Sequence, residues 1–114
     1  MKRSKSEQLI ELILEMANFG PKDHKLGIDI KFHCLQPGNK KLKHGPRLKV
    51  FRGNQEFVLT IENEPKIIGD SNWLNKKELE KTIKFVSLNK DAFLKFWNDS
   101  SMVASELTSM FKYK

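Results

Sequence analysis

Two short runs of alternating apolar and polar residues, separated by Gly53-Asn54, set the strongest constraint on this chain. Arg47-Leu48-Lys49-Val50-Phe51-Arg52 precedes the pair and Phe57-Val58-Leu59-Thr60-Ile61-Glu62 follows it. Period-two alternation suits a strand with one wet face, and Gly-Asn between two such runs is a hairpin signal. Leu48 and Val50 then share one face of the first strand, while Arg47, Lys49 and Phe51 share the other. Phe57, Leu59 and Ile61 line one face of the returning strand. Upstream, Ile28, Ile30, Phe32 and Cys34 alternate with Asp29, Lys31 and His33, which predicts a further strand over 28–35. A loop from Gln36 to Pro46, with Pro37-Gly38-Asn39 as its turn, joins it to the hairpin. Asn63-Glu64-Pro65 turns the chain again, and Lys66-Ile67-Ile68 supplies a short last strand ended by Gly69-Asp70. The expectation is three to four antiparallel strands over 28–70.

Helical periodicity flanks the strands. Near the N-terminus, Leu9, Ile13 and Met16 form an apolar stripe, with Glu7, Glu11 and Glu15 on the wet side. Ser4 and Glu7 have capping-box spacing, and Gly20-Pro21 reads as a stop, so a helix is predicted over 5–18. Those glutamates interrupt the apolar run too often for a signal peptide, and no run reaches the ~20 residues of a spanning helix. A cytoplasmic chain with no membrane partner is expected. Asn75 and Glu78 open a second helical part over 75–98, with Leu79, Ile83 and Val86 as its stripe, followed by Phe93, Phe96 and Trp97. Ser87-Leu88-Asn89 weakens the pattern, so one kinked helix and two separate helices both fit. Trp73 suits a hydrophobic staple before the cap, and Trp97 suits the core. Residues 100–114 form a weakly amphipathic tail, able to dock or to stay mobile. Helices grouped at the ends of a run of strands give an α+β fold, a single domain over 1–114 with its helices on one face of a small antiparallel sheet.

Charge is what points beyond the fold. The 114 residues carry 21 Lys and Arg against 14 Asp and Glu, a net charge of +7. That excess favours an anionic partner. It is concentrated: Lys40, Lys41, Lys43, Arg47, Lys49 and Arg52, with His44, span 40–52 without one acid. Cations beside Phe51 on a strand are the composition of a single-stranded nucleic-acid surface, where ammonium groups meet phosphates and a ring stacks on a base. The same residues also suit a sheet face wetted by cations, with lysines guarding an edge. Lys40, Lys41, Lys43, Arg47, Lys49, Phe51 and Arg52 are the candidate binding residues.

Proton-transfer chemistry has few carriers. Metal-independent RNA cleavage needs a base for the 2′-hydroxyl, cations for the phosphorane and an acid for the leaving oxygen. His44 is the candidate base, with His33 and the neighbouring cations around it; histidine in a polar loop is also an ordinary surface residue. Cys34, the single cysteine, excludes an internal disulfide and falls on the buried strand face, where a thiol behaves as a small hydrophobe. His24, His33, Cys34 and His44 match no zinc spacing, so neither a metal nor a cofactor is expected.

His44-Gly45-Pro46-Arg47-Leu48-Lys49-Val50, then Glu64-Pro65-Lys66-Ile67-Ile68-Gly69-Asp70, then Asn89-Lys90-Asp91-Ala92-Phe93-Leu94-Lys95-Phe96-Trp97-Asn98, resemble a group of small bacterial proteins of unknown function. The resemblance covers about residues 44–98 and implies a compact sheet, a following helix and a terminal tryptophan–asparagine. Some members of the group resemble partners in toxin–antitoxin pairs, which implies a small toxin acting on RNA or on translation. No catalytic residue carries over from it. Two readings stand: a nucleic-acid-associated protein, RNA favoured, with a ribonuclease toxin as its enzymatic form; or a non-enzymatic module that binds a small acidic protein through the same basic face.

Overall fold

The computed structural model describes residues 15–36, 45–99 and 101–113. Five strands run in chain order across one antiparallel sheet: β1 (Glu15–Phe19), β2 (Lys31–Gln36), β3 (Arg47–Arg52), β4 (Gln55–Thr60) and β5 (Ile67–Gly69). A short helix, α1 (Pro21–His24), lies between β1 and β2. After β5 come α2 (Lys76–Leu88), α3 (Lys90–Asn98) and α4 (Ala104–Ser109). The fold is α+β, with one strand more than the three to four expected.

The extra strand comes from the N-terminal segment. A helix was expected over 5–18; residues 15–18 instead belong to β1, and residues 1–14 lie outside the described part. Period two wins here because Ala17 and Phe19 both bury, and the segment pairs along β2 from Glu15 opposite Gln36 to Phe19 opposite Phe32. Gly20-Pro21 begins a helix and does not end one. Gly20 is the N-cap, its N–H donates to Asp23 Oδ2 at 3.1 Å, and Pro21 takes the first helical position, where no N–H is needed. β2 also starts later than the alternation suggested. The Ile30 N–H donates to Ile28 O at 2.9 Å and its carbonyl accepts from His24 Nε2 at 2.9 Å, so both groups of residue 30 are satisfied outside the ladder. Ile28 and Ile30 are buried all the same.

The hairpin turns at Gly53-Asn54 as expected, though its returning strand runs over Gln55–Thr60 where 57–62 was expected. Arg52 pairs with Gln55 across Gly53-Asn54, and Gly53 has φ 59° where Asn54 does not turn positive, the pattern of a II′ turn. Phe32, Cys34, Leu48, Val50, Phe57 and Leu59 all face one side, which the helices cover. Rings fill the gap between layers: Phe19 stacks on Phe32 with centroids 5.2 Å apart, Phe32 meets Phe85 at 5.6 Å, and Phe93 meets Phe111 at 5.5 Å. Each such side chain contributes about 1.5–3 kcal/mol by leaving water.

Asn75 caps α2 through a reciprocal box with Glu78, at 2.8 and 3.1 Å. Its buried stripe is Thr82, Phe85 and Val86, with Leu79 and Ile83 only partly covered, so the helix is rotated relative to the expected face. α2 and α3 are separate helices broken at Asn89. That side chain does not cap α3; it donates to Phe85 O and to Lys112 O, both at 3.0 Å, and accepts from the Lys112 N–H at 2.6 Å. The C-terminal segment is thereby docked, with Met102, Leu107 and Phe111 buried. Gln36 fastens the turn before α4 to β2 by donating to the carbonyls of Asp99, at 2.6 Å, and of Met102. Trp97 is buried as expected, and Trp73 packs on Phe57 at 5.4 Å. Among the described residues no helix is long and apolar enough to cross a membrane.

Candidate nucleic-acid interface

Because side chains alternate along every strand, the residues between the core positions converge on the second face of the sheet. The register aligns them in rows. One row runs across all five strands, from Asn18 through His33, Lys49 and Val58 to Ile68. A second joins Lys31, Phe51 and Glu56, and Arg47 stands opposite Thr60 in a third. Among the described residues no helix packs on this face. His33, Arg47, Lys49, Phe51 and Val58 are half-buried, while Lys31 and Ile68 are exposed. A shallow groove of about 210 Å³ runs between His33, Arg47, Lys49, Glu56 and Val58.

The sheet thus brings together three of the residues expected from the sequence, Arg47, Lys49 and Phe51. It places Arg52 elsewhere. Arg52 has the parity of Leu48 and Val50, and its Nη2 donates to Trp73 O at 3.1 Å with the guanidinium 5.3 Å from the centre of a Trp73 ring. Its charge serves to hold the β5–α2 loop. Lys40, Lys41, Lys43 and the candidate base His44 lie outside the described residues.

Register adds residues that proximity along the chain did not group with the basic run. Lys31 and His33 join the face from β2. Glu56 joins it from β4, and its carboxylate stands 3.4 Å from Lys49 Nζ. The segment 40–52 holds no acid, but the folded face does. Asn18 Oδ1 lies 2.7 Å from His33 Nδ1. Parity along β2 already carried the signal for Lys31 and His33; the pairing with β3 was needed to set His33 beside Lys49.

The other candidates fall away from the face. Cys34 is fully buried, and burial pushes its thiol up to about 12, so it is a poor nucleophile. His24 is buried behind Phe32 and Phe85, with Nε2 on Ile30 O and Nδ1 accepting the Leu26 N–H at 3.1 Å. Among the described residues no three His, Cys, Asp or Glu side chains come together as a metal site. What the face can do chemically is hold anions and offer one ring for stacking. Comparison of the chain with protein-family models, with curated proteins and with solved structures finds no match.

Proposed function

We propose that the protein binds single-stranded nucleic acid, RNA in preference, across the second face of its sheet. The observation that carries this reading is the placing of Lys31, Lys49 and Arg47 in successive rows of the face that carries Phe51, which no described helix covers. Cations spaced along strands can follow a phosphate backbone, and an aromatic ring among them gives a base a surface to stack on. The enzymatic form of this reading adds RNA cleavage to the binding, with His44 as its base. That step is tested by incubating the protein with RNA in chelator and following strand length; intact RNA removes it and leaves the binding reading in place.

Binding itself is tested by titrating a short labelled oligouridine at several salt concentrations. Three phosphate contacts at about 0.7 each predict a log–log slope near −2, roughly a hundredfold loss of affinity for a tenfold rise in salt. The Arg47→Ala/Lys49→Ala double variant should show a shallower slope at little stability cost. A wild-type protein with no salt-sensitive RNA binding defeats the reading. A small acidic protein partner then becomes the better account, favoured by the apolar neighbours of the same cations: Ile68 is 52% exposed and sits in the row of Lys49 and Val58.

A further inference from the structure

A second cleft, of about 420 Å³, opens on the helical side of the molecule between the segment after α1, the exposed edge of α2 and the C-terminal residues. Its size is that of a small-molecule site. Lys25, Lys81, Lys84 and Lys112 stand around it. Among the described residues the ion pairs are Lys49 with Glu56 and Lys90 with Asp91, and none of the four cleft lysines joins one. The nearby Asp23 carboxylate accepts from the Gly20 N–H at 3.1 Å and keeps its charge, one acid against four lysines. Four ammonium groups around one concavity, none within ion-pair distance of a described acid, repel one another, and Lys81 and Lys84 do so from one helix edge.

Two further details mark the cleft. Lys25 has φ 55°, a left-handed conformation in which glycine would be unstrained, and its ammonium lies 4.9 Å from the centre of the Tyr113 ring. The Tyr113 ring is held upright by its hydroxyl, which donates to Asp23 O at 2.6 Å, yet it remains 45% exposed. Leu88, 37% exposed, adds a second apolar wall. A fixed aromatic surface ringed by cations fits a ligand that is flat at one end and highly anionic at the other.

We propose that this cleft binds a nucleoside polyphosphate, its phosphates among Lys25, Lys81, Lys84 and Lys112 and its base against Tyr113 and Leu88. A single phosphate carries about two negative charges at neutral pH and leaves half of the cleft's charge unmatched; a chain of phosphates does not. The site is separate from the sheet face and independent of what that face binds.

The test is a titration of the full chain at about 150 mM salt with ATP, with inorganic tripolyphosphate and with adenosine, read by calorimetry and by backbone amide shifts, at an ionic strength where surface charges alone are largely screened. Saturable ATP binding is expected, with shifts at Lys25, Lys84 and Tyr113, weaker binding of tripolyphosphate, and none of adenosine. The Lys81→Ala/Lys84→Ala variant, whose changes are exposed, should lose ATP affinity at least tenfold while keeping its affinity for oligouridine. Tyr113→Ala should lower the affinity for ATP and leave that for tripolyphosphate unchanged. No saturable ATP binding, or ATP binding unaffected by the lysine changes, overturns the proposal. Tripolyphosphate binding as tightly as ATP overturns its nucleoside part.

Discussion

Asn18 on β1 and His33 on β2 face each other across the sheet, with Asn18 Oδ1 2.7 Å from His33 Nδ1. An amide oxygen can only accept, so the imidazole carries its proton on Nδ1. The bond favours that tautomer in the one described histidine on the open face.

That relationship gives the first prediction. Nitrogen NMR shifts of the His33 ring should report the Nδ1–H tautomer in the wild type above neutral pH. Asn18→Ala should lower the Nδ1–H population and cost about 0.5–1 kcal/mol, the lower range for a hydrogen bond, since the pair is exposed. An Nε2–H tautomer in the wild type would contradict the geometry.

Glu56 is the acid that the folded face sets against Lys49, 3.4 Å away. If the face binds phosphates, Glu56→Gln should raise affinity for oligouridine by a few fold, because it removes repulsion and releases an ammonium. Stability should change by less than about 1 kcal/mol, as for other exposed pairs. Weaker RNA binding by this variant would mean that phosphates pass elsewhere. Phe51→Ala should weaken binding by about 1–3 kcal/mol if its ring stacks on a base, with the salt slope unchanged.

The central strands were legible because Leu48, Val50, Phe57 and Leu59 alternate around a two-residue turn, a pattern that only a hairpin satisfies. β1 was not. Met16-Ala17-Asn18-Phe19 continues a helical stripe read from its N-terminal side, and only pairing with β2 reveals the period of two. Local periodicity cannot weigh a ladder formed with residues thirteen or more positions away. The candidate face was half legible for the same reason: Arg47, Lys49 and Phe51 follow from parity within one strand, whereas Glu56 and His33 come from register. Nearness along the chain groups Arg52 with them, although parity places it on the opposite face. The Asn89 clamp on Lys112 had no sequence signal at all, since nothing local distinguishes a capping asparagine from one that ties down a distant backbone.

Cys34 supplies a test of the core. It is fully buried, burial pushes its thiol up to about 12, and Sγ donates to Leu35 O at 3.6 Å. At pH 8 both access and thiolate are lacking, so a thiol reagent should label the protein only as fast as it opens. Adding denaturant past the unfolding midpoint should expose one reactive thiol per chain. Fast labelling of the native protein would place Cys34 at the surface and undo the assignment of the core face of β2.

His24 makes stability depend on pH. Burial lowers its pKa below 6.5, against smaller opposing contributions from the bond to Ile30 O and from Asp23. Both ring nitrogens are committed in the neutral form: Nε2–H donates to Ile30 O, and Nδ1 accepts from Leu26. A proton on Nδ1 would confront the Leu26 N–H. The unfolded chain binds that proton near pH 6.5 and the native one does so only at lower pH, so over this window the unfolded state holds more protons. Stability therefore falls as pH drops from about 6.5 toward the folded pKa, by at most about 1.4 kcal/mol per unit for this one group. Urea unfolding at pH 7.5, 6.5 and 5.5 should show the loss, and His24→Gln should be less stable at pH 7.5 but flatter across the series. In the folded wild type the His24 ring proton signals should move at lower pH than those of the unfolded chain. A ring that titrates at its ordinary value, or a variant with the wild-type slope, would show that the imidazole is not held neutral between α1 and β2.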